Sequence, residues 1–210
     1  MEDFNYNTPT RVYFGKDTEL QVGKILKQYE PKMVLFHYGK ASIKKIGLYD
    51  KVIKALKEEN ISFIELGGVE ANPKLSLVEK GILLAKENKV DFILAVGGGS
   101  VMDSAKAIAD GVYVKHSPWL FSTGEAKPTR ALPIGVILTI SASGSEMSNS
   151  CVITNDYTND KRGFACELNR PRFAIENPEL TYSVSPFQTA CGITDIMMHT
   201  LERVISRPDV

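Results

Sequence analysis

The 210-residue chain is 43% hydrophobic and balances 25 Lys+Arg against 25 Asp+Glu, so it can bury a sizeable core and shows no charge excess pointing to nucleic acid or a membrane surface. No apolar run approaches the ~20 residues that span a bilayer, and the acidic, polar start Met1 to Asn7 lacks the basic and apolar parts of a signal peptide. Cys151, Cys166 and Cys191 are odd in number and far apart; they read as reduced thiols in a cytoplasmic protein.

Arg11 to Phe14 reads as a short strand, followed by a helix from Thr18 to Gln28 that Pro31 stops. Apolar strands and amphipathic helices then alternate: strand Met33 to Tyr38, helix Lys44 to Glu59, strand Ser62 to Leu66, helix Ser76 to Asn88, strand Phe92 to Val96, helix Ser100 to Gly111. Strands this apolar suit burial on both faces, so the alternation predicts an α/β fold with a parallel sheet covered by helices. Pro133 to Thr139 is another apolar strand, and a small-residue segment, Ser141 to Ser145, follows it. The polar turn Asn155 to Lys161 predicts a hairpin pairing Ser150 to Thr154 with Gly163 to Glu167. Arg172 to Ile175 is the last candidate strand, and Pro186 to Ser206 reads as the opening helix of something that continues. The domain division expected is 1–184, an α/β unit, and 185–210, a first helix of a second unit.

Four segments carry candidate chemistry. In Gly97-Gly98-Gly99-Ser100-Val101-Met102-Asp103, glycines at a strand-to-helix junction let backbone N–H groups approach a phosphate, although the spacing is not Gly-x-Gly-x-x-Gly. A tight turn with Ser100 as N-cap and Asp103 closing a capping box explains the same residues. At the end of the 33–38 strand, Gly39, Lys40 and Ser42 stand where an acidic residue would bind a ribose 2′-hydroxyl, and Lys44 and Lys45 follow, which favours NADP over NAD; a solvated basic loop is the plainer account. Thr139, Ser141 and Ser143 offer hydroxyls to phosphate or ribose, or Ser143 or Ser145 caps a helix start. Asp195 and His199, four apart on a helix, can face one metal ion, with Glu202 one turn on; the plainer account is a surface pair. Tyr157 and Lys161 have the spacing of a Tyr-x-x-x-Lys catalytic pair, but their Asn/Asp-rich setting predicts a turn instead.

Taken together the chain resembles the iron-containing (group III) alcohol dehydrogenase family, in particular its NADPH-dependent butanol dehydrogenase branch. The resemblance rests on Asn5-Tyr6-Asn7-Thr8-Pro9-Thr10 with Phe14-Gly15, Ser42-Ile43-Lys44-Lys45-Ile46-Gly47-Leu48-Tyr49-Asp50, and Gly68-Val69-Glu70-Ala71-Asn72-Pro73. It continues through Gly97 to Lys106, Ala142-Ser143-Gly144-Ser145-Glu146-Met147, and Gly192 to Glu202. Relatives of dehydroquinate synthase and glycerol dehydrogenase share this architecture, but the Asp-x-x-x-His pair and the Ser-Ala-Ser-Gly-Ser-Glu segment point to the alcohol dehydrogenases.

The resemblance implies a Rossmann-like, dehydroquinate synthase-like α/β domain that binds NADP(H), or NAD, along Gly39 to Ser42, Gly97 to Ser100 and Thr139 to Ser143. It makes Lys161 a cofactor-contacting lysine. Asp103, on the helix after the glycine loop, is placed for the nicotinamide end, although capping alone explains it. The resemblance assigns Asp195 and His199 as two of four protein ligands to Fe²⁺, or Zn²⁺, the other two being histidines of an all-helical domain beyond the given sequence. The branch typically has Gly-Gly-Gly-Ser where this chain has Gly39-Lys40-Ala41-Ser42, a departure at the adenosine end. The expected activity is interconversion of a small primary alcohol and its aldehyde, in a homodimer formed through the 11–14 strand. The 210 residues alone are expected to have an incomplete metal site and little or no turnover; the alternative is a non-catalytic dinucleotide-binding module. Met197, Leu201 and Ile205 are expected to be uncovered.

Overall fold

A computed structural model of the protein describes residues 7–206; the Met1 to Tyr6 part of the polar start, including Asn5 and Tyr6 of the first motif, lies outside the described residues. The chain runs through β1 Arg11–Phe14, α1 Val22–Lys27, β2 Val34–Gly39, α2 Ser42–Lys45, α3 Leu48–Glu58, β3 Phe63–Val69, α4 Leu75–Glu87 and β4 Phe92–Gly97. It continues with α5 Gly99–Gly111, α6 Trp119–Thr123, β5 Ile134–Leu138, β6 Ser150–Asn155, β7 Asp160–Ala165, β8 Phe173–Glu176 and α7 Pro186–Ile205. A six-stranded sheet has the order β1-β8-β5-β4-β2-β3, and every neighbouring pair in it is parallel.

The strands are apolar on both sides because both sides are covered. Val34 and Phe36 of β2 and Phe92, Leu94 and Val96 of β4 pack on Val22 and Leu26 of α1 and Val52 and Leu56 of α3. One residue out of step, Leu35, Ile93, Ala95 and Val136 pack on Val78 and Ile82 of α4 and on Met102, Ala105 and Ile108 of α5. Each large side chain so buried contributes about 1.5–3 kcal/mol. The crossover from β2 to β3 lies on the first face, and those from β3 to β4 and β4 to β5 on the second. The direction of travel across the sheet reverses between them, as right-handed connections require.

The structure departs from the sequence reading in detail. The helix expected over 44–59 is two, α2 and α3, broken at Gly47, whose φ of 71° only glycine adopts easily. The helix expected from Thr18 begins as a 3₁₀ turn, Thr18–Gln21, because Asp17 enters it in the left-handed conformation. The hairpin pairs Ser150 with Ala165 and Asn155 with Asp160, so its second strand starts three residues earlier than expected; Asn159, at φ 60°, closes the turn. The short α6 was not expected; it buries Phe121 against Phe164 of β7 with ring centroids 5.6 Å apart. At the other end, α7 has no buried residue, and Met197, Leu201 and Ile205 are exposed as the sequence suggests. Among the described residues no helix is long and apolar enough to cross a membrane.

One polar side chain ties the sheet to α5. His37 is fully buried in β2; its Nδ1 lies 2.8 Å from the Leu66 carbonyl of β3 and its Nε2 2.9 Å from Ser104 Oγ of α5. A carbonyl can only accept, so Nδ1 carries the proton and Nε2 accepts from the serine. Burial lowers the imidazole pKa from 6.5 to about 4. The unfolded chain therefore binds the extra proton between these values, and the stability that neutral His37 contributes is present above about pH 6.5 and lost as pH falls to about 4. That depression is worth about 3 kcal/mol. The excess stability of the wild type over His37→Gln should thus shrink by up to about 3 kcal/mol between about pH 7 and about pH 4 in urea unfolding. A pH-independent difference would mean that the imidazole is not held neutral.

Candidate functional site

Because all six strands are parallel, their carboxyl ends lie on one edge, where open α/β sheets bind ligands. A groove of about 560 Å³ crosses that edge, lined by residues after β2 (Gly39, Lys40, Ser42), β3 (Val69, Glu70), β4 (Gly97, Gly98, Ser100) and β5 (Thr139, Ile140). Seven positions singled out in the sequence, Gly39, Lys40, Ser42, Gly97, Gly98, Ser100 and Thr139, are therefore brought together although they span a hundred residues, while Gly99, Ser141 and Ser143 lie outside this lining.

The glycine run is where close approach matters. The helix α5 starts at Gly99 with Gly98 as its N-cap, and no side chain caps it. The capping box expected of Ser100 and Asp103 is absent: Ser100 is already inside the first turn. The Asp103 carboxylate instead accepts from Ser145 Oγ at 2.7 Å and from the Val152 backbone N–H at 3.2 Å. The hairpin draws it away from the helix terminus, and burial raises its pKa while these partners act the other way. The start of α5 thus carries no side-chain cap, and Gly97, Gly98 and Ser100 of that start line the groove, a setting that suits an anion. A Cβ on Gly99 would lie 2.2 Å from Ser143 Oγ, so the 139–145 segment is seated directly against the helix start.

That segment forms no helix, so neither Ser143 nor Ser145 caps one; Ser143 Oγ accepts from the Ser145 N–H at 3.3 Å. Ser141 and Ala142 line a second hollow with Gln188, Asp195 and Ile196 of α7, which makes the segment the bridge between the groove and the last helix. Lys161 lies on β7, outside the groove lining, and donates to Oδ1 of Asn72, in the loop after β3, at 2.7 Å. Tyr157 lies in the hairpin turn that its Asn/Asp-rich setting predicts, with its hydroxyl donating to Glu79.

Asp195 and His199 share a face of α7: His199 Nε2 is 3.7 Å from Asp195 Oδ1 and its Nδ1 is 3.7 Å from Glu202 Oε2, with all three side chains exposed. Among the described residues no group of three or more His, Cys, Asp or Glu could hold a metal ion. As a donor set, one carboxylate and one imidazole on one helical face fit half of a four-ligand shell and no more.

Two residues were missed. Glu70 is carried beside Lys40 by the β2–β3 pairing, in which Gly39 lies opposite Val69; its carboxylate bridges Lys40 Nζ at 2.5 Å and Lys74 Nζ at 3.3 Å, and these lysines depress its pKa. The acidic residue absent from the end of β2 is thus present at the end of the neighbouring strand. Lys106, on α5, is fully buried; a lone lysine among Ala105, Ala107, Ile108 and Ala109 was the signal for it, since a helix apolar all round is a buried one.

Comparison with known proteins agrees with this geometry. The chain is 46% identical to NADH-dependent butanol dehydrogenase A of Clostridium acetobutylicum over 206 residues, which cover 98% of this chain and 53% of that protein. It is 38% identical to the NADPH-dependent aldehyde reductase YqhD of Escherichia coli over 212 residues, 99% of this chain and 54% of that protein. The crystal structure of NADH-dependent butanol dehydrogenase A from Thermotoga maritima superposes with a TM-score of 0.93 at 41% identity, covering 96% of this chain and 51% of the other. The chain therefore spans about half the length of the relatives it matches. The family model for iron-containing alcohol dehydrogenases matches residues 9–178, and the chain belongs to that family.

Proposed function

We propose that this chain is the coenzyme-binding part of an oxidoreductase that interconverts a small primary alcohol and its aldehyde with NADP(H). The observation that carries the reading is the groove across the ends of β2 to β5, closed on one side by the uncapped start of α5. In it Gly97, Gly98, Gly99 and Ser100 hold the pyrophosphate by backbone N–H groups. Thr139, Ser141 and Ser143 orient the nucleotide from the facing wall, and Gly39, Lys40 and Ser42 receive the adenosine end. Residues 1–184 then form the dinucleotide-binding domain, with Lys161 and Asp103 on its hairpin side, and 185–210 open the metal-binding helical domain.

Asp195 and His199 supply two donors of a divalent-metal shell, Fe²⁺ or in its place Zn²⁺; when bound, such an ion polarises the substrate oxygen as a Lewis acid. The chain's own part in the reaction is to hold the nicotinamide in contact with substrate and keep water out. Lys40 and Lys74 outnumber Glu70 at the adenosine end, which supports a 2′-phosphate and hence NADP(H). Glu70 itself, and the relatives named for NADH, support NAD(H) as the second reading. An edge position and exposed Val12 and Phe14 make β1 the strand through which a homodimer forms. Three unpaired cysteines suit a reducing, cytoplasmic setting.

Calorimetric titration of the 210-residue chain should show saturable NADPH binding whose affinity Fe²⁺ and Zn²⁺ leave unchanged, with little or no turnover of primary alcohols or aldehydes. Stronger binding of NADH than NADPH would transfer the assignment to NAD(H), and no binding of either would remove it. Gly99→Ala should weaken NADPH binding about ten-fold or more, because the new methyl must displace Ser143 at a cost of about 1–3 kcal/mol. Undiminished affinity in that variant would mean that the nucleotide does not lie between α5 and the 139–143 wall.

A further inference from the structure

We propose that Lys106 is a positioning residue for the groove: its buried ammonium gathers the serine oxygens of the 145–150 stretch and so sets the wall that Thr139, Ser141 and Ser143 present to a bound nucleotide. The inference rests on the coenzyme reading above, but the geometry behind it is independent of that reading.

Between the end of β5 and the start of β6 the chain runs without helix or strand, so its carbonyls have no ladder to bond to. A buried carbonyl left alone is costly. Lys106 reaches up from the second turn of α5 into this stretch. Its Nζ donates to the backbone oxygens of Ser145 at 2.8 Å, Ser148 at 3.0 Å and Ser150 at 2.8 Å. The Oγ atoms of Ser145 and Ser148 lie 2.8 and 3.3 Å from the same nitrogen. Five acceptors share three N–H donors, an arrangement that requires the charged ammonium. Although burial lowers the lysine pKa, neighbouring Asp103 opposes the shift.

The contact continues to a second residue of the same helix. Ser145 Oγ accepts from Lys106 and donates to Asp103, whose other oxygen holds the Val152 N–H of β6. Lys106 and Asp103, one turn apart on α5, therefore fasten both the loop and the start of the hairpin to the helix whose N-terminus forms the groove floor. Floor and facing wall are mounted on one rigid element, and Ser143 rests on Gly99 as the result. An arginine cannot replace the lysine, since a planar guanidinium spreads its donors away from a single point.

The test combines segment-resolved hydrogen exchange with NADPH titration on the full 210-residue chain, for Lys106→Met, Lys106→Ala and Ser145→Ala. Folding of each is checked by circular dichroism. In Lys106→Met, amides of 139–150 should exchange about ten-fold faster or more while those of β4 stay protected, and the NADPH Kd should rise about ten-fold or more. In Lys106→Ala, n-propylammonium, which replaces the missing stem and charge, should restore both readouts, and tetramethylammonium, which has no N–H, should restore neither. Ser145→Ala keeps the ammonium and should show the same pattern more weakly. Should neither lysine variant fold, Ser145→Ala decides by the same two readouts. Unchanged exchange in 139–150, acceleration spread evenly through the sheet, or a loosened segment with unaltered NADPH affinity would each overturn the proposal. A wild type that takes up neither NADPH nor NADH overturns the coenzyme reading, and loop exchange then distinguishes that failure from a failure of Lys106 to hold the segment.

Discussion

All six strands of the sheet point one way, and this single constraint organises the molecule. A parallel strand cannot return by a tight turn, so each must be followed by a crossover segment that covers a face of the sheet. Here those segments bury both faces, which is why β2 and β4 are apolar at every position but His37. The same directionality collects every strand's carboxyl end on one edge, and the residues that follow each strand become neighbours whatever their distance in sequence. The groove is a product of topology before it is a product of any one motif.

Charge inside this framework is handled by pairing or neutralisation. His37 is kept neutral by burial and tied at both nitrogens. Burial lowers the Lys106 pKa, and the backbone and hydroxyl oxygens around it favour its charged form. Glu19, fully buried within the 3₁₀ turn, accepts from Lys51 at 2.7 Å and from Asn177 at 2.8 Å. Each of these groups joins elements that the strand ladder does not connect, so polar burial fixes the relative placement of layers that apolar contact alone would leave free to slide.

Much of the fold was legible because a doubly covered strand writes itself as a short apolar run bounded by turn residues, as Phe92 to Val96 does before its glycines. What the sequence concealed was contact between distant positions and the ends of elements. Gly47 sits inside a helical periodicity that runs on unbroken on either side, so the break shows only in its backbone angle. Glu70 meets Lys40 through a register that nothing local specifies. Asp103 has the spacing of a capping residue, and only the arrival of the hairpin overrides that local choice. The Asp195–His199 pair was readable as a pair because helical spacing is local, whereas the wall opposite the glycine run depends on a lysine whose role is set by what folds over it.

The exposed α7 has a mechanical consequence. It leaves the body at Ser185, and a helix rises about 1.5 Å per residue, so His199 stands about 20 Å out along a rod. A rotation of about 10° at the base would carry the imidazole about 4 Å by that lever. The proposed reaction would tolerate far less, since displacements near 1 Å already cost about a hundred-fold in rate. The placement of Asp195 and His199 relative to the groove is therefore a property of whatever clasps the rod along its length, and under the proposed reading coenzyme geometry and metal geometry are adjusted by separate parts of the polypeptide.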